Sequence, residues 1–75
     1  MVKENYWLHS LPQAKSGDYE VHKESCNWLP NPENRIDLGE HYSCDTAVSL
    51  AKQKYPDYSD KIDGCIHCCL PCHHH

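Results

Sequence analysis

Gly64-Cys65-Ile66-His67-Cys68-Cys69-Leu70-Pro71-Cys72-His73 is the stretch that decides how this chain folds, because it carries four of the six cysteines in a protein of 75 residues. A domain of this size buries too little surface to be held by its core alone. Below roughly 70–80 residues a core seldom supplies more than about 3–5 kcal/mol, and small domains add a disulfide or a metal. The core available here is thin even for its length. There is no Phe and one Met. The large apolar residues are Trp7, Leu8, Leu11, Val21, Trp28, Leu29, Ile36, Leu38, Val48, Leu50, Ile62, Ile66 and Leu70. Cysteine and histidine chemistry at the C-terminal end is therefore expected to hold the fold.

The segments upstream read as an α+β domain of two or three short strands and one main helix. Asn5-Tyr6-Trp7-Leu8-His9 is aromatic-rich and extended in character, and Tyr19-Glu20-Val21-His22 alternates apolar and polar residues. Ser10, Pro12, Ser16, Gly17 and Asp18 supply loop chemistry between them, so the two strands are expected to form a hairpin. Residues 23–34 read as an irregular stretch in which Cys26, Trp28 and Leu29 form a helical turn, broken by Pro30 and Pro32. Trp28 and Leu29 are expected to pack against the helix. Arg35-Ile36-Asp37-Leu38 reads as a third strand that Gly39 ends.

The helix is predicted over residues 44–55. Ser43 is a suitable N-cap, Asp45 suits the positive end of the helix dipole, and Lys52 and Lys54 suit its negative end. Ala47, Val48, Ala51 and Tyr55 fall on one helical face, and Pro56 stops the helix. Residues 57–63 read as a polar connection, and Asp63-Gly64 as a turn that delivers the chain into Cys65. The whole of 1–73 is read as one module, with His74 and His75 as a tag remnant.

Composition excludes several functional classes. Seven Lys and Arg residues face eleven Asp and Glu residues, a net charge of −4 with histidines neutral. The basic residues are scattered, so no face is expected to release counterions from a nucleic acid or an anionic membrane. The N-terminus has no apolar h-region, and no run is long enough to span a bilayer. The chain reads as a cytoplasmic protein, a compartment where clustered cysteines are more often metal ligands than disulfides. No Ser-His-Asp or His-Glu-x-x-His pattern points to a hydrolase, and no enzymatic activity is expected.

The chemistry-bearing residues are His22-x3-Cys26, Cys44, Cys65-x2-Cys68, Cys69-x2-Cys72 and His73. Zinc takes four soft or borderline ligands at the corners of a tetrahedron. A Cys-x2-Cys knuckle places two thiolates on one metal because a tight turn folds back on itself. Gly64 is expected to help that turn through glycine's tolerance of positive φ. His22 and Cys26 supply a second pair from a strand end and the turn after it, closing a loop of 38 residues. Several alternatives stay open. Cys65, Cys68, Cys69 and Cys72 form a possible local four-thiolate group, although adjacent side chains in an extended segment point apart, which favours Cys69 as a bystander. Cys65 and Cys68 also suit a disulfide, or a redox pair of the Cys-x-x-Cys type. Cys44 is either a small buried hydrophobe or the disulfide partner of Cys72. His9, His41 and His67 read as ordinary surface or hydrogen-bonded histidines.

The order of these features resembles the zinc-binding N-terminal domain of the Ada methylphosphotriester-repair protein and related Ada-like modules. The resemblance spans about residues 20–72. It rests on His22-Lys23-Glu24-Ser25-Cys26, the strand Asn34-Arg35-Ile36-Asp37-Leu38, the helix opening Ser43-Cys44-Asp45-Thr46-Ala47-Val48 and the pair Cys65-Ile66-His67-Cys68. It implies one structural zinc held by His22, Cys26, Cys65 and Cys68. It does not imply DNA repair: the family's methyl-accepting cysteine is replaced here by His22, and the family's basic surface is missing. The phrases Gly17-Asp18-x-Glu20-Val21-His22, Leu38-Gly39 and Gly64-Cys65-x-x-Cys68 are also similar to a group of short bacterial Cys-rich proteins without an assigned function. The resulting expectation is a non-enzymatic, zinc-stabilised module for a protein partner. The alternatives are a disulfide-stapled protein of an oxidising compartment and a thiol redox protein using Cys65 and Cys68.

Overall fold

The computed structural model describes residues 2–13 and 16–73. The reading of His74 and His75 as a tag remnant, and the part of the 10–18 loop at residues 14–15, lie outside them. The architecture is α+β: a four-stranded sheet with one α-helix against it. β1 (Glu4–His9) and β2 (Tyr19–Lys23) form the expected antiparallel hairpin, with Tyr6 opposite Lys23 and Leu8 opposite Val21. β3 (Arg35–His41) adds antiparallel to the other edge of β1.

Gly39 does not end β3; it lies within it. Between the pairs Trp7–Asp37 and Asn5–Glu40 the register shifts, so that Tyr6 opposes both Leu38 and Gly39. Gly39 has φ +80°, the left-handed conformation that a bulge takes most cheaply with glycine. Asp37 fixes it: one carboxylate oxygen accepts the Gly39 N–H at 2.8 Å and the Asn5 side-chain amide at 2.9 Å.

α1 runs Cys44–Lys54, with Ser43 at the N-cap in extended backbone and Tyr55 at the C-cap. Ala47, Val48 and Ala51 are buried, as the periodicity requires. They pack with Tyr6 and Leu8 of β1, Val21 of β2 and Leu38 of β3. Residues 57–63 are not a simple connection. A 3-10 helix, Pro56–Lys61, leads into β4 (Ile62–Gly64), which pairs parallel to β2 in the register Tyr19–Ile62, Glu20–Asp63 and Val21–Gly64. The sheet order is therefore β3-β1-β2-β4. A parallel pair needs a crossover, and α1 supplies it.

β4 decides where the C-terminal cysteines go. The Cys65 N–H donates to the Val21 carbonyl at 3.0 Å, so the knuckle starts beside β2. The chain then turns back over β4 through Leu70–Cys72. Cys44 and Cys72, 28 residues apart, are joined as a disulfide with Cα atoms 6.4 Å apart. Cys44 is thus the partner of Cys72, one of the two roles the sequence allowed. Cys69 is a core residue, 1% exposed and packed in the cluster with Val21 and Leu38.

Trp28 is not in the core. It is 62% exposed, and Leu29 is only half-buried. The turn after Cys26 carries Trp28 away from α1, and the face of α1 is covered by the sheet and by Cys69 and Cys72 instead. Trp28 stacks on His67, with ring centroids 4.7 Å apart and planes 23° apart. Truncating it leaves no core cavity and removes only this contact, a pair worth about 0.5–1.5 kcal/mol. Trp28→Ala is accordingly expected to lower stability by about 1 kcal/mol. A loss of about 3 kcal/mol or more in a urea melt, the cost of a buried Trp, would place Trp28 in the core after all.

Candidate metal centre

Strand alternation sends Val21 into the core and turns Glu20 and His22 to the opposite face of β2. That face meets the C-terminal knuckle. His22, at the end of β2, is 2% exposed. Cys26 follows in a turn closed by its own N–H to the Lys23 carbonyl at 3.0 Å. Cys65 and Cys68 arrive from β4, and a 2.7 Å bond from the Cys69 N–H to the Cys65 carbonyl closes the knuckle. These two local turns, far apart in sequence, bring His22, Cys26, Cys65 and Cys68 together. One potential ligand atom from each lies within 4.8 Å of all the others.

The spacing fits a tetrahedral ion. With metal–sulfur bonds of about 2.3 Å and metal–nitrogen bonds of about 2.0–2.1 Å, a nitrogen–sulfur edge measures about 3.6 Å and a sulfur–sulfur edge about 3.8 Å. The His22 Nδ1 to Cys26 Sγ separation is 3.6 Å. No sulfur of the group is bonded to another: Cys26, Cys65, Cys68 and Cys69 are all free thiols.

Backbone N–H groups point at the sulfurs. Cys26 Sγ accepts from the Trp28 N–H, and Cys68 Sγ from the Lys23 N–H, both at 3.4 Å. At Cys65 the backbone N–H groups of His67 and Cys68 act to lower the thiol. Donors aimed at sulfur favour the thiolate, the species that binds metal. Burial works the other way. It pushes the thiols of Cys65 and Cys68 up, with a contact to Cys26 adding to the effect at Cys68. Burial also depresses His22 to about 4, helped by the nearby His9 and His67 rings. His22 is therefore a neutral imidazole with a lone pair free to donate. A dication held there would reverse the balance at the sulfurs, because a metal ion deprotonates coordinating thiols.

Cys69 Sγ stands 3.9 Å from Cys68 Sγ but belongs to the core rather than to the four. Cys72 is withdrawn into the disulfide, so the local four-thiolate arrangement does not form. The Cys44, Asp45 and Cys72 side chains also lie close together, but the two sulfurs are bonded to each other. His73 is part of the fold: its Nδ1–H donates to the Gly64 carbonyl at 3.1 Å and faces an oxygen of the buried Asp63 carboxylate at 3.1 Å. Sequence reasoning missed Asp63 and Glu20. Their burial depends on the parallel β2–β4 pairing that a three-residue strand does not announce. An apolar cavity of about 170 Å³ lies elsewhere, between Leu8, Tyr19, Ile36, Tyr55, Tyr58 and Ile62, and includes none of the Cys and His groups.

Fold and site together define a small α+β, Cys-rich domain with one disulfide and a Cys/His group geometrically able to hold a metal ion. Comparison with family models, with curated proteins and with solved structures finds no match to the chain. Among the described residues no helix is long and apolar enough to cross a membrane.

Proposed function

We propose that this protein is a non-enzymatic interaction module built around one structural zinc ion, held by His22, Cys26, Cys65 and Cys68, and that it engages a protein partner. The observation that carries the reading is the convergence of these four side chains within 4.8 Å. Three thiolates and one imidazole complete a tetrahedron, which leaves no position for a substrate or a reactive water. The backbone donors on the sulfurs support a site built for thiolates. The resemblance to Ada-like modules, carried by the x3 and x2 pairs, points to the same four residues. The net charge of −4 favours a protein partner over a nucleic acid. The burial that raises Cys65 and Cys68 works against a redox role, which needs a low-pKa nucleophile.

The test is native mass spectrometry of the untagged chain, with and without a strong chelator. The expected result is one zinc per chain, lost in Cys65→Ser and retained in Cys69→Ser. A wild-type chain that carries no metal after refolding with zinc would sink the reading.

One observation favours a second reading, a disulfide-stapled protein of an oxidising compartment: the Cys44–Cys72 bond itself, since disulfides persist where thiols are not kept reduced. Counting free thiols after non-reducing denaturation in the presence of a chelator separates the two. Four free thiols fit the zinc module with its single disulfide. Two or none fit a chain in which oxidation has claimed the metal ligands.

A further inference from the structure

We propose that Glu20 is the positioning residue of this centre: its carboxylate accepts the Nε2–H of His22, so that Nδ1 is the nitrogen that binds the metal. The inference rests on the zinc reading above and goes beyond it by fixing the tautomer and orientation of the one imidazole ligand.

The two nitrogens of His22 face different surroundings. Nδ1 looks toward the sulfurs, 3.6 Å from Cys26 Sγ, which is the edge length of a tetrahedral site. Nε2 is buried and has no hydrogen-bond partner. It stands 3.7 Å from Oε1 of Glu20. A neutral imidazole carries one proton. If Nδ1 gives its lone pair to a metal, that proton sits on Nε2, where a buried donor without an acceptor is unfavourable. A side-chain movement of a few tenths of an ångström brings Glu20 into hydrogen-bond range and satisfies it. The same contact strengthens the ligand, because a carboxylate behind an imidazole raises the basicity of the nitrogen that faces the metal.

The strand makes this arrangement local and rigid. Glu20 and His22 are two residues apart on β2 and share one face of it. Glu20 is buried and opposite Asp63 of β4 in the parallel register. On the other side, the His9 ring centroid is 6.2 Å from that of His22 and limits how far the imidazole can turn. The phrase Glu20-x-His22 thus encodes both the ligand and the group that aims it.

The experiment uses ¹⁵N-labelled full-length protein loaded with ¹¹³Cd, together with zinc competition against a chromophoric chelator. In the wild type, one-bond cadmium coupling is expected on Nδ1, with Nε2 protonated. Glu20→Ala is expected to weaken zinc by roughly 10–100-fold, while the cobalt-substituted form keeps the ligand-field spectrum of a tetrahedral site with three sulfurs and one nitrogen. Glu20→Gln, whose amide oxygen still accepts a hydrogen bond, is expected to recover part of the affinity. Coupling on Nε2 overturns the inference and leaves the zinc reading standing. So does unchanged zinc affinity in Glu20→Ala. A wild type that binds neither metal sinks both. If Glu20→Ala does not fold, the wild-type coupling pattern and Glu20→Gln still decide the matter.

Discussion

Replacing Gly64 by Ala is expected to cost about 3 kcal/mol or more and to lower the melting temperature by roughly 12–25 °C. A Cβ on Gly64 would lie 2.7 Å from the Cys69 carbonyl oxygen, 2.8 Å from Cys72 Cβ and 3.0 Å from the Cys72 carbonyl carbon. These neighbours are backbone or the root of a side chain, so no flexible tip can swing aside. They are also tethered. Cys72 is bonded to Cys44, and the Cys72 N–H holds the Cys69 carbonyl at 2.9 Å. Relief requires lifting the C-terminal loop off β4, which also disturbs the knuckle that presents Cys65 and Cys68. The variant should therefore hold zinc more weakly as well as melt earlier. Gly39→Ala is the control. There a Cβ meets nothing within 4 Å and only the φ of +80° opposes it, a cost of roughly 1–2 kcal/mol. Thermal melts followed by circular dichroism measure both. If Gly64→Ala melts within a few degrees of the wild type, the loop does not sit on β4 as described.

Gly64 also shows where sequence reasoning fell short. The glycine was legible, and so was its importance to the turn into Cys65, but the reason was not. Positive φ is confined to Gly17 and Gly39 among the described residues; Gly64 is required because another segment passes over it. Local signals found what is locally encoded. The capped 3.6-residue pattern placed α1 to within a residue, the alternation placed β2, and the x3 and x2 spacings picked out the four residues that converge. Signals that depend on distant segments were silent. β4 is three residues long, and its partner β2 lies about forty residues upstream. Gly39 looked like a strand end because a bulge and a terminator share one residue preference. Trp28 looked like core because a large apolar residue in a core-poor chain has few other places to go. In fact Cys69, Cys72 and Cys44 fill that space, so cysteines serve as packing as well as staples.

Removing both staples is expected to unfold the chain completely at 25 °C, whereas removing either alone leaves a different partial deficit. The disulfide closes a loop of 28 residues, which by loop entropy is worth about 3.5 kcal/mol. A core of this size seldom supplies more than roughly 3–5 kcal/mol, and this one, with no Phe and with Cys44, Cys69 and Cys72 among its packing groups, is expected to fall short of that ceiling and not to hold the fold alone. The proposed zinc adds more, since structural sites of this kind contribute on the order of 10 kcal/mol to folding. The two cross-links also hold different parts. The disulfide ties the start of α1 to the end of the chain. The proposed metal would tie the end of β2 and its following turn to the knuckle. With metal present, reduction by a non-chelating phosphine should lower the melting temperature by roughly 15–25 °C and leave the folded spectrum intact. Chelation of the oxidised chain should release the turn carrying Cys26 and Trp28 along with the knuckle. Loss of the Trp28–His67 stack should then appear as a change in tryptophan fluorescence. Acid should mimic the chelator, because protons compete with the metal for three thiolates and the imidazole. Chelator and phosphine together should abolish the melting transition. The decisive comparison is the oxidised chain with and without chelator. If the two melt at the same temperature and give the same fluorescence, the four converging side chains carry no metal that matters to the fold.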